Sequence, residues 1–473
     1  MNSSFRLFGC ITALLCFLIC LFFLTGAYII ISIIPVFYCL FLLIIDSFHS
    51  LWRNRPLSVY IITILLWVRM VLLPFYGAVA GNVSGAYHSD TISIELQQFL
   101  LKAVFLCIYD SIAIVFVLFV ASTKIKKSTR ALNTIGLFGQ KEIYILFCLM
   151  ALAVFILVGR EMHLYDFAIK PVEEGMGRSG DIIDSRELFV REIVGTGISF
   201  FFILLLSLFC KKYGTTHSNK YYILSVLCAL VFISIISGER RTTQLYKGFT
   251  SLYLLLSLYP QKRKKITTSV GIYAILILAL MTIYKQFGAF YYGSYSEAIQ
   301  NAELDRGLSC SNVDAYFYGI DTIAKNLYYS QLMSIRPSQL LFDFFRNFFG
   351  INFFIHGGGL LTTQMYNAVI YYGDQLTGLL LSSVGYGYLF GGYILAPLAT
   401  VINVIIVLFL ERCLRSAKSF EWQFVFAMAF IRYAFGVLSA MPPLINYITR
   451  MLFINGLIIL IARFAKKRIV KHE

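Results

Sequence analysis

The sequence predicts an all-α polytopic membrane protein, a transmembrane helical bundle of about 12 spans with a long helical outer loop between spans 9 and 10. Three observations predict it. The chain is 59% hydrophobic with a mean hydropathy of +0.77, far above a soluble domain. Its apolar residues arrive in unbroken runs close to the roughly 20 residues that a helix needs to cross a hydrocarbon core about 30 Å thick. They do not form the short alternating segments of about 10 residues that build a transmembrane barrel. Finally, the basic residues fall in short clusters between the runs, where they act as topology signals.

In chain order, helices are expected near 7–25, 27–46, 57–80, 96–121, 142–159, 195–210, 221–236, 248–260, 266–284, 388–410, 421–440 and 447–464. The first apolar stretch is too long for one span, and Gly26 and Pro35 are its candidate interruptions. The linkers His49–Pro56, Lys124–Arg130, Lys211–Lys220, Lys262–Lys265 and Arg412–Lys418, with the tail Arg463–Lys471, are basic and therefore expected in the cytoplasm, as are both termini. The alternate linkers are expected outside. Two are large, a middle outer loop at 160–194 and a long outer loop at 286–387, within a single integral membrane domain spanning 1–473. Arg240 and Arg241 fall on the outer side by this parity, against their own charge preference.

The net charge of +16 would point to nucleic acid in a soluble chain, but no basic stripe is interleaved with base-reading residues, so no nucleic-acid partner is expected. Eight of the ten cysteines lie in or at the end of apolar runs, where cysteine behaves as a small hydrophobe. Cys310 has no cysteine partner in the long loop, and no Cys/His spacing suggests a metal site. Arg6 and the following apolar run read as a retained first helix rather than a cleaved signal.

Charges inside spans are costly, by about 2.5–3.5 kcal/mol at mid-bilayer on insertion scales. Arg69 and Asp110 on consecutive spans are therefore expected to pair, while Lys102 and Arg432 are expected to snorkel or face a cavity.

The outer segments carry the candidate chemistry. GMGRSGDIIDSRELFVREIVGTG contains Arg178, Arg186 and Arg191 among acidic residues, with Ser185 as a candidate helix cap. SGERR places Arg240 and Arg241 at a helix end, where guanidinium groups bind oxyanions bidentately. IRPSQLLFDFFRNFFGINFFIHGGG combines Arg336 and Arg346 with His356, the sole histidine of the long loop and a candidate general base. Asp343 is the alternative base, or simply a helical partner for Arg346. The aromatic run around it reads as an interfacial lid or as packing against the bundle. Each arginine also has a plainer reading, as a surface ion pair or a helix stop.

This layout, with SGERR ending a central helix and SSVGYGYLFGG closing the long loop, resembles the Wzy-type repeat-unit polymerases of bacterial O-antigen and capsular polysaccharide. Arg186 is followed eleven positions later by Gly197, and Arg346 likewise by Gly357, a spacing described in both outer loops of some members. Tyr386 stands where an acidic residue is often found, so the role of that acid is not carried over. The resemblance implies a C-type membrane glycosyltransferase in the bacterial inner membrane, with its active loops in the periplasm. It would join undecaprenyl-diphosphate-linked oligosaccharide repeat units without metal or cofactor. Catalysis would fall to His356, Asp343 and Arg346, and diphosphate binding to Arg178, Arg186, Arg191, Arg240, Arg241 and Arg336. The bilayer and a chain-length regulator would be its other partners. An O-antigen ligase shares nearly the same layout, and a lipid-linked oligosaccharide flippase is the non-enzymatic alternative.

Overall fold

The structure, a computed structural model, describes residues 3–47, 56–80, 90–122, 137–159, 185–235, 241–286, 296, 310–355, 359–372 and 380–472. Arg178, Arg240 and His356 lie outside the described residues, as does Gly357. Arg186 and Arg241 are described by their backbones alone.

The described chain is helical. In order it forms α1 (Ser3–Phe23), a 3-10 turn (Gly26–Ser32), α2 (Ile33–Ser47), α3 (Leu57–Trp67), a π-helical turn (Val68–Leu72), α4 (Leu73–Ala80), α5 (Asp90–Ser122), α6 (Lys141–Val154), a second π turn (Phe155–Gly159), α7 (Ser185–Thr216), α8 (Asn219–Ser234), α9 (Arg241–Leu258) and α10 (Arg263–Gln286). Then follow α11 (Cys310–Phe317), α12 (Ile320–Ser330), α13 (Ser338–Asn347), α14 (Thr362–Ile370), α15 (Ser383–Leu395), α16 (Leu398–Ser416), α17 (Phe420–Phe435) and α18 (Met441–His472).

Helix occupies each of the twelve stretches expected from hydropathy, but fewer qualify as crossings. Among the described residues, 7 helical segments are long and apolar enough to cross a membrane: Phe5–Phe23, Gly26–Ile45, Leu57–Val79, Gln97–Ala121, Lys141–Val158, Phe189–Thr216 and Met441–Lys467. A bent pair, α15 with α16, brings the number to 8 if it counts as one span. These segments leave large apolar side chains uncovered, among them Phe22 (81% exposed) and Leu157 (71%). Contiguous apolar surface of this kind needs a lipid surrounding. The protein is therefore a multi-pass helical membrane protein.

Local sequence explains the breaks. Gly26 has φ +60 and ends the first helix, since only glycine takes the left-handed region at no steric cost. Pro35 is no interruption: it sits in the first turn of α2, where a missing N–H is not needed. The expected single span at 388–410 is instead bent by 115° between α15 and α16. The break falls at Ala396–Pro397, and within α15 Gly391 and Gly392 also leave helical geometry, Gly392 at φ +58. Residues 441–446, expected as an outer linker, are the first turn of α18, which tolerates Pro442 and Pro443 for the same reason as Pro35.

Where the sequence reads as one membrane domain, contacts group the chain into two compact units. Unit 1 comprises Met1–Ser128, Leu308–Glu411 and Tyr433–Thr449; unit 2 comprises Thr129–Gly307, Arg412–Arg432 and Arg450–Glu473. Each unit uses a buried glutamate to hold a helix N-terminus, where unpaired N–H groups favour negative charge. In unit 1 the Glu411 carboxylate accepts from the N–H groups of Leu57 at 2.7 Å and Ser58 at 3.1 Å. In unit 2 Glu421 accepts from Phe138 N–H at 2.7 Å and the Tyr144 hydroxyl at 3.0 Å, just ahead of and within α6.

From Cys310 onward, the described part of the segment expected as an outer loop is built into unit 1. Every residue of α12 except Tyr328 is buried, and the helix packs against α5, α14 and α15. Around its end, Tyr329, Tyr366, Ile370, Leu381, Tyr386, Ala440 and Ile445 form one apolar cluster.

Candidate functional site

The sequence IRPSQLLFDFFRNFFG folds as α13, and its 3.6-residue period sorts its side chains into faces. Gln339, Asp343 and Asn347, spaced by four, share the inner face: Gln339 Nε2 donates to Asp343 Oδ1 at 3.2 Å, and Asn347 Nδ2 to the Asp343 carbonyl at 2.8 Å. Leu341 and Phe345 are exposed on the opposite face. Arg346 lies between the two, half-buried.

Asp343 is fully buried. Its Oδ1 also accepts from Thr362 N–H at 3.1 Å, at the start of α14, and its Oδ2 accepts from the Tyr386 hydroxyl of α15 at 2.9 Å. One carboxyl therefore pins three helices. Burial raises its pKa, and the hydrogen bonds from Thr362, Tyr386 and Gln339 oppose that rise. This is a different position from that expected of a general base. Both oxygens are engaged and shut off from solvent, and the carboxyl holds α13 to the start of α14 and to α15.

Arg346 Nη1 donates to the Gly359 carbonyl, and its guanidinium lies over the Phe342 ring, 5.2 Å from the centroid. Gln339 Nε2 donates to the adjacent Leu360 carbonyl at 2.8 Å. The strand of chain at 359–361 is thus laid along α13 by side chains of that helix. Arg336 is exposed just ahead of it. The result is a cation on a helix whose opposite face exposes Leu341 and Phe345.

The small-residue run SSVGYGYLFGG has a structural explanation. Ser382 Oγ caps α15, accepting from Gly385 N–H at 3.0 Å. Asn326 of α12 reaches the same place: its Oδ1 accepts from Ser382 N–H at 3.0 Å and Oγ at 2.6 Å, and its Nδ2 donates to the Tyr366 hydroxyl at 2.7 Å. A Cβ at position 385 would lie 2.6 Å from Asn326 Oδ1, and one at 387 would lie 2.2 Å from the Ala396 carbonyl oxygen. Glycine is needed at both because another part of the chain comes that close.

Of the remaining sequence candidates, Arg191 lies in unit 2, half-buried near the start of α7. Its neighbour Glu192 accepts from Arg450 Nη2 of α18 at 2.8 Å. Gly197, one end of the Arg–Gly spacing, serves packing: its Cβ would lie 2.3 Å from Ala151 Cβ on α6. Arg336, Asp343 and Arg346 lie on or just ahead of α13 in unit 1; Arg191 belongs to the other unit.

The pairing expected inside the spans is present. Arg69 Nη1 donates to Asp110 Oδ2 at 2.7 Å, and both side chains are buried. Arg69 sits in the π turn of its span, a local widening common at functional positions. Lys102 lies over the Phe99 ring at 5.3 Å and is exposed, as snorkelling predicts. Arg432 lies over the Tyr246 ring at 5.5 Å.

Sequence reasoning missed Asp314, Asp321, Lys325 and Asn326, all buried in unit 1. The signal was present: Asp321 and Lys325 stand at i and i+4 within IDTIAKNLYYS, and they form a 3.0 Å ion pair. Among the described residues no three His, Cys, Asp or Glu side chains are grouped as metal ligands would be. Comparison with protein-family models, curated proteins and solved structures finds no match for this chain.

Proposed function

We propose that the protein is a membrane glycosyltransferase that polymerises lipid-linked oligosaccharide repeat units. It would act on undecaprenyl-diphosphate carriers at the periplasmic face of a bacterial inner membrane, in a chain with about 12 crossings and both termini in the cytoplasm. The observation that carries the reading is Arg346, a permanently charged group fixed by Phe342 and the Gly359 carbonyl on an amphipathic helix with exposed aromatics. The resemblance in layout to repeat-unit polymerases supports it.

In this reaction the acceptor hydroxyl attacks the anomeric carbon of the growing chain while negative charge develops on the departing diphosphate. Arg346 and Arg336 would hold that diphosphate, with His356 as the base. Asp343 acts through Arg346, by fixing the helix that presents it. A guanidinium aimed at the leaving group stabilises the transition state more than the ground state. A chain-length regulator would be a membrane partner. The test is the polysaccharide made when the gene is deleted: single repeat units on the core with no long chains support polymerisation, whereas loss of the single unit as well points to a ligase or a flippase.

The flippase reading has its own observation. Charged side chains at Arg69, Asp110, Asp321 and Lys325 are buried within unit 1 rather than confined to loops, as a path through the bundle requires. Protein-dependent movement of a lipid-linked oligosaccharide across reconstituted vesicles, with no product of increased length, would favour it.

A further inference from the structure

Five acidic or basic side chains from four elements share one interior region of unit 1. Arg69 of the π turn pairs with Asp110 of α5 at 2.7 Å, and Asp321 with Lys325 on α12 at 3.0 Å. The fifth is Asp314 of α11, whose Oδ2 accepts from Thr322 N–H at 2.8 Å and Thr322 Oγ1 at 2.6 Å. Asp314 lies within electrostatic range of Asp321 and Lys325 and of Arg69, and the Cys107 thiol of α5 is within range of Arg69, Asp110 and Asp314 together. The remaining neighbour of α11, α4, contributes Leu73 at the turn and carries Tyr76 as its titratable side chain. The chain closes tightly over the Asp314 carboxyl: Gly319 N–H donates to the Asp314 carbonyl at 3.0 Å, and a Cβ on Gly319 would lie 1.9 Å from Asp314 Oδ1.

The cluster does not balance. Among the described residues its two cations face three carboxyl groups, all of them buried, so full ionisation leaves an excess of one negative charge in a medium that penalises it heavily. Beside it, Asp110 Oδ1 and Arg69 Nε are buried and make no hydrogen bond to any described residue. A proton on one of the three carboxyl groups removes that excess charge.

We propose that unit 1 contains a proton-binding site at Asp314, and that the bound proton stabilises the closed packing of the α11–α12 turn against Arg69 and Asp110. Burial and the neighbouring Asp321 push the Asp314 carboxyl up to about 7, although Thr322 and Lys325 favour its charged form. The sign follows from linkage. The folded chain binds this proton more tightly than the unfolded chain, so the stabilisation is present at low pH and is lost as pH rises from the ordinary carboxylate range through about 7.

Infrared difference spectroscopy of the full-length protein in lipid bilayers, stepped between about pH 5 and about pH 8, tests this directly. The expected result is a protonated-carboxyl carbonyl band that disappears on raising the pH and is missing from Asp314→Asn. A band that persists in Asp314→Asn, or its absence from the wild type, overturns the proposal. Thr322→Val provides a second arm that keeps Asp314. It removes a donor that favours the carboxylate, so the band should survive to higher pH, and an unmoved or lowered midpoint counts equally against the site. These readouts need no substrate, so they stand or fall separately from the glycosyl-transfer reading.

Discussion

The Tyr386 hydroxyl donates to Asp343 Oδ2 at 2.9 Å, with both residues fully buried and 43 positions apart in sequence. This contact joins the helix that presents Arg346 to the glycine-rich helix that follows the long loop. Tyr386→Phe keeps the ring and removes the donor, leaving a buried carboxyl oxygen short of a partner. The expected cost is about 1–3 kcal/mol, read as a lowered thermal midpoint in detergent or nanodiscs. A midpoint equal to wild type would mean that the contact does not hold the site together.

Arg346 is expected to act on the reaction rather than on folding. Arg346→Ala should lower the polymerisation rate by about 10²–10³, the usual effect of removing one transition-state donor. Arg346→Lys should recover only part of it, because an ammonium lacks the planar fork. Rates measured on lipid-linked repeat units, together with polysaccharide length in cells, decide the matter. Normal chain length in Arg346→Glu would remove this residue from the site.

Breaking the Arg69–Asp110 pair on one side should be severe. Asp110→Ala leaves a buried guanidinium without its counter-charge, at a cost of about 3–5 kcal/mol, whereas Arg69→Met combined with Asp110→Leu should regain most of that loss. Thermal unfolding of the two variants separates a structural pair from a transport residue. If the double variant folds normally yet supports no activity, the pair has a functional role as well.

Two glycines two residues apart in α7 should respond oppositely to alanine. A Cβ at Gly195 meets nothing within 4 Å, while one at Gly197 meets Ala151 Cβ at 2.3 Å. Gly195→Ala is expected to stabilise the helix by about 0.5–1 kcal/mol, and Gly197→Ala to cost about 1–3 kcal/mol by overpacking. Equal effects on thermal midpoint would contradict the close α6–α7 contact.

The sequence by itself determined that the chain is helical and membrane-embedded, because apolar runs of spanning length leave the backbone no other way to satisfy its hydrogen bonds in lipid. It also pointed to the Arg69–Asp110 pair, since opposite charges on neighbouring spans lower each other's cost in an apolar run. Only the tertiary structure decided that 320–330 turns inward rather than facing solvent, and that Asp343 holds helices in place. Only there do Gly385 and Gly387 show close approach as their purpose. These outcomes rest on partners such as Asn326 with Ser382, 56 positions apart. A period of 3.6 residues records which face of a helix is apolar, but carries no information about which distant side chain will meet it.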